Sequence, residues 1–85
     1  MSKMKSRVFS NVDNLINMEV GKRMSATGEK VRKSEIIQEI ADFAGVGIDN
    51  INMIKREVVT PSLPVAIKIA NYFNLNVEDI FKVRE

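Results

Sequence analysis

Asn52 and Arg56 stand four residues apart, the spacing that aligns two side chains on one face of a helix. An asparagine amide can bond the N6 and N7 edge of adenine, and an arginine fork can grip guanine O6 and N7 or a phosphate. On a 100° wheel with Ile51, Ile54 and Val58 turned inward, Asp49, Asn52, Met53 and Arg56 point outward, with Ile48 and Lys55 on one flank. Met53 and Ile48 suit thymine methyl groups. Asp49 could accept from cytosine N4, although an acid in a first turn is also what the helix dipole favours. A second group precedes this one: Arg32, Lys33 and Ser34 sit where free N–H groups at a helix start attract phosphate. Ser34 would serve there as the N-cap as well. Asn50 and Lys55 are further candidate phosphate contacts.

Other chemistries lack residues. There is no cysteine and no histidine, which removes disulfides, thiolate metal sites and the usual bases and nucleophiles. Zinc would have carboxylates alone, so no metal and no cofactor is expected. Gly45-Val46-Gly47 is a turn and not a phosphate loop, so an enzyme is the weakest reading.

The elements that must hold these groups are helical. Phe9, Val12, Ile16 and Val20 recur at helical spacing, with Leu15 adjoining, which predicts a first helix from Asn11. Its end is open between Gly21 and the stronger breaker Thr27-Gly28, and a hairpin across residues 18–32 is the alternative. Ile36, Ile37, Ile40, Ala41 and Ala44 make an apolar stripe behind Ser34 and Glu35, closed by Gly45. A further helix is predicted from about Ile48 to Glu57. Two amphipathic helices joined by a short turn containing glycine form a helix-turn-helix, with Val46 as an apolar plug beneath the crossing. Pro64 opens a later helix, with Leu63, Ile67, Ala70 and either Ile69 or Phe73 facing inward. A short last helix runs from Val77 to about Phe81, and a charged tail follows. Residues 1–10 read as a flexible basic tail and 11–85 as a single domain, a size that supports one core.

Charge is uneven. Residues 1–33 carry eight basic groups against three acidic, a net of +5, and residues 34–85 carry a net of −3. A basic face that meets a polyanion and an ordinary solvated surface both fit that asymmetry. Lys3, Lys5 and Arg7 are followed by Val8-Phe9 and then Ser10-Asn11, far short of the ~7–15 apolar residues of a leader or the ~20 of a membrane span. A soluble, cytoplasmic protein with no membrane partner is expected.

Pro61-Ser62-Leu63, Ile69-Ala70 and Leu75-Asn76-Val77-Glu78-Asp79-Ile80-Phe81 resemble the phage-repressor class of helix-turn-helix domains (Cro-like, or xenobiotic-response-element type). Ile40-Ala41, Gly45-Val46, Ile51 and Ile54 continue the likeness without a gap. The resemblance implies an all-α, five-helix repressor-like domain whose third helix enters the major groove of double-stranded DNA, usually as a homodimer. There are departures. The family's DNA-clamping Gln falls at Ile37, with Gln38 beside it as the substitute phosphate contact; its capping Ser is Gly47. Its Glu-x-Gly after the third helix reads Lys55-Arg56-Glu57, and the loop beyond reads Val58-Val59-Thr60.

Ile80, Phe81 and Val83 are candidates for pairing two copies, with core closure as the other reading of Ile80 and Phe81. The chain stops soon after the fifth helix, so control is expected to come from protein level or from a regulatory protein partner. The alternative function is a protein-binding module of the same fold, antirepressor- or antitoxin-like, with weak DNA affinity.

Overall fold

The structure, a computed structural model, describes residues 7–84, which are predominantly helical. In chain order they form β1 (Arg7–Ser10), α1 (Val12–Thr27), α2 (Lys33–Ala44), α3 (Ile48–Lys55), α4 (Leu63–Phe73), α5 (Val77–Ile80) and β2 (Phe81–Arg84).

Stop signals explain the helix ends. Of the two stops open for α1, Gly28 is the real one: it adopts φ 74°, and its N–H closes on the Met24 carbonyl at 2.8 Å. Gly45 ends α2 the same way at φ 76°, and Val46 follows it into the core edge. Gly47, extended, begins α3 after a three-residue connection. Asn74, at φ 61°, ends α4, and Asn76 with Asp79 forms a capping box on α5.

The end of α3 differs from expectation. The helix stops at Lys55, because Glu57 turns left-handed at φ 64°. Its N–H reaches the Ile54 carbonyl at 3.0 Å and that of Val58 reaches Met53 at 2.8 Å, the paired bonds of a Schellman turn. Val58 is thereby carried off the inner face and lies 60% exposed.

Thirteen side chains make the continuous core: Val12 and Ile16 of α1; Ile36, Ile37, Ile40 and Ala41 of α2; Ile51 and Ile54 of α3; Ala66, Ile69 and Ala70 of α4; and Ile80 and Phe81. Each large aliphatic contributes on the order of 1.5–3 kcal/mol by leaving water. No polar or charged residue is buried among the described residues.

Several expectations are corrected. In α4 the inward set is Ala66, Ile69 and Ala70, whereas Leu63 is 67% exposed and Ile67 is also exposed. Leu63-Pro-Val-Ala-Ile-Lys-Ile-Ala is apolar nearly all round, so periodicity alone does not select the face. The tail at residues 1–10 gives way to a strand from Arg7, and the charged tail after α5 is a strand too. β1 and β2 pair antiparallel, with Arg7 opposite Arg84, Val8 opposite Val83, Phe9 opposite Lys82 and Ser10 opposite Phe81. The boundary drawn at residue 10 therefore falls within one paired unit. Lys3 and Lys5 lie outside the described residues. Among the described residues no helix is long and apolar enough to cross a membrane.

Candidate nucleic-acid interface

Ile51 and Ile54 are sealed in the core, and that fixes the rotation of α3. Ile48, Asp49, Asn50 and Arg56 are exposed, and Asn52 and Met53 are half-buried on the same outer side. Among the described residues no hydrogen bond or ion pair engages the side chains of Asp49, Asn50, Asn52 or Arg56. An eight-residue helix thus presents side-chain amides and an acid, and its C-cap Arg56 a guanidinium, with their bonding capacity unspent.

The start of α2 is built differently from expectation. Arg32 occupies the N-cap in extended conformation, Lys33 is the first helical residue, and Ser34 is the second. Ser34 is therefore not the cap; it is exposed in a first turn that has no side-chain cap and whose Glu35 N–H donates to the Arg32 carbonyl at 3.0 Å. Arg32 is exposed as well. Gln38 donates through Nε2 to Asp42 Oδ1 at 2.9 Å, so on α2 it is already partnered.

Asp13, in the first turn of α1, was not among the candidates, yet it gathers two of them. Lys33 Nζ lies 2.5 Å from its Oδ1 and Lys55 Nζ lies 3.6 Å from the same atom. Hydrogen bonding from Lys33 holds this carboxyl below the usual carboxylate range against a smaller opposing effect of desolvation, and the charges of both lysines help. Three helices thereby meet at one oxygen: the start of α1, the start of α2 and the end of α3.

A second polar cluster joins α1, α2 and α4 farther along. Arg23 donates from Nε to Glu19 at 2.8 Å and from its two terminal nitrogens to both Glu39 oxygens at 2.6 and 2.7 Å. The Tyr72 hydroxyl donates to Glu39 Oε1 at 2.8 Å. Hydrogen bonding to Arg23 lowers the Glu39 carboxyl, and bonding to Glu39 and then Glu19 raises Arg23 further. Burial, followed by the bond to Glu39, pushes the Tyr72 phenol up to about 12. The i, i+4 spacing of Glu19 and Arg23 was visible in the sequence. Glu39 and Tyr72 reach Arg23 only through tertiary packing.

Two of the candidate pairing residues are corrected. Ile80 and Phe81 are enclosed by the protein's own core, at 1% and 9% exposure, and offer no surface to a second copy in this fold. Val83 lies in β2 opposite Val8. Among the described residues no group of three or more acidic side chains is gathered so as to hold a metal ion. No family model matches the chain, and no curated protein is significantly similar to it.

Proposed function

We propose that this protein is a cytoplasmic, sequence-specific DNA-binding regulator of the repressor-like helix-turn-helix kind, working as a homodimer, with α3 entering the major groove. The observation that carries the reading is the division of α3. Its apolar side is locked by Ile51 and Ile54, and its opposite side holds Asn52, with Arg56 at the C-cap just beyond, neither with an internal side-chain partner among the described residues. A short connection through Gly45-Val46-Gly47 sets α2 beside it, with Arg32, Lys33 and Ser34 at the leading end. Glu57 adds support, since its left-handed φ of 64° falls where the repressor-class pattern has glycine.

In this reading Asn52 and Arg56 specify bases, Met53 and Ile48 pack on thymine methyls, and Asp49 faces cytosine or serves the helix dipole. Two copies would span half-sites about 10 bp apart, through a surface other than Ile80 and Phe81. The test is to select duplexes from a random pool and follow binding by fluorescence anisotropy across salt concentrations. Asn52→Ala and Arg56→Ala should each cost about 1–3 kcal/mol on the selected site. Binding that ignores salt, or a selected site bound equally well by both variants, overturns the reading.

A protein-binding module of the same fold is the second reading, favoured by exposed Val58, Leu63 and Ile67 along the α3–α4 connection and the outer side of α4. A regulatory phenotype that survives the Asn52→Ala, Arg56→Ala double variant would select it.

A further inference from the structure

We propose that Asp13 is a built-in competitor for DNA phosphate, holding Lys33 and Lys55 away from the backbone of any duplex that approaches α2 and α3. The inference rests on the DNA-binding reading above.

Asp13 Oδ1 receives both lysines at the junction of three helix ends. One anionic oxygen between two ammonium groups is the arrangement a phosphate oxygen would adopt with the same pair. The lysines are flanked in sequence by Arg32 and Arg56, both exposed and without an internal partner among the described residues. Nearby acids do not share this role. Glu57 turns its carboxylate to the Ser10 N–H at 2.8 Å, and Glu35 is exposed in the first turn of α2 without a cation partner. Asp13 is thus the one acid among the described residues engaged with cations of the candidate interface.

The contact is exchangeable from its Lys33 side. The shared Oδ1 is covered and Lys55 is 19% exposed. Lys33, however, is 37% and the Asp13 side chain 46% exposed, so a phosphate can approach through Lys33, and partly exposed ion pairs of this kind are held weakly. Lysine is a point charge on a flexible stem and gives up a partner without losing a fixed geometry. A phosphate therefore takes a lysine only at the expense of the Asp13 contact, and the carboxylate left behind repels the DNA. Because phosphate contacts carry no sequence information, the effect is a uniform lowering of affinity that leaves base discrimination unchanged.

Asp13→Asn removes the competing charge with little change of shape. We expect roughly tenfold tighter binding of selected and random duplexes alike, and a plot of log affinity against log salt that is steeper by about 0.9 for each lysine released. Glu78→Gln, which deletes one exposed charge on α5 that contacts neither lysine, should change affinity by less than about twofold, because salt screens an exposed charge with no direct contact. In a Lys33→Gln, Lys55→Gln background the gain from Asp13→Asn should vanish, whereas a general charge effect would persist there. Should Asp13→Asn fail to fold, Asp13→Ser keeps a short polar side chain in the first turn and repeats the measurement. Salt-dependent binding by the natural protein with no gain in slope on loss of Asp13, or a gain that survives without the lysines, overturns the proposal alone. Absence of salt-dependent binding by both proteins overturns the DNA-binding reading itself.

Discussion

The two polar clusters on α1 use the same chemistry with opposite surplus. At Arg23 one cation is divided between two carboxylates, and a phenol donates to one of them. At Asp13 one carboxylate is divided between two cations. Arginine meets Glu39 with both terminal nitrogens, a planar fork that fixes the angle between α1 and α2. Edge-on contact of Tyr72 with Phe43 and Phe73, at ring separations of 5.8 and 5.0 Å, restrains the phenol. Lysines impose no such geometry. The difference separates a clamp, held by a fixed fork and left with surplus negative charge, from a poised site where positive charge is left over. The leftover positive charge includes Lys55 at the end of α3, and the clamp at Arg23 lies farther along α1.

The largest expected effect removes the support that both clusters share. Ile16 lies on α1 between Asp13 and Arg23 and is fully buried. Ile16→Ala should cost about 2–5 kcal/mol in chemical denaturation, through lost burial and the cavity left behind. Both clusters should loosen together. A cost under about 1 kcal/mol would mean that ion pairs seat α1 and its apolar side does not.

A smaller effect separates the clusters. Arg23 and Glu39 are 35% and 45% exposed, so solvent screens their attraction and Arg23→Ala should cost about 1 kcal/mol of stability. It should leave the salt dependence of DNA binding unchanged. Asp13→Asn should do the reverse, shifting stability by less than about 0.5 kcal/mol, as surface changes usually do. If Arg23→Ala altered the salt slope and Asp13→Asn did not, the assignment of clamp and poised site would be inverted.

What the sequence disclosed follows the same division between local and distant. The stripe from Ile36 to Ala44 is wholly buried as expected, because Gly45 fixes its end and its apolar positions repeat every three or four residues. α3 was legible for the same reason, and with Ile51 and Ile54 inside, its outer residues followed. The outer set became doubtful only past Lys55, where Glu57 takes a conformation that nothing in its side chain announces. α4 hid its orientation by being apolar on several sides. β1 and β2 hid because each is four residues long and finds its partner at the opposite end of the described chain. Asp13 was legible as a charge and not as a contact, since its partners belong to two other helices.

The finest test of the clamp uses its phenol. Tyr72 is the single tyrosine and there is no tryptophan, so tyrosinate absorbance reports this residue alone. Burial, and then the bond to Glu39, raises its titration from 10.0 to about 12. A group raised on folding stabilises the protein fully below its unfolded value, and that contribution is lost as pH climbs through the folded value. Stability should therefore fall between about pH 10 and 12, and absorbance should rise there or together with unfolding seen by circular dichroism. In Glu39→Gln the midpoint should move partway down, because burial remains while the carboxylate acceptor is gone. A midpoint near 10 in the natural protein, with its circular dichroism still native, would show that Tyr72 is not engaged by Glu39 and that the Arg23 cluster is as loosely held as the one at Asp13.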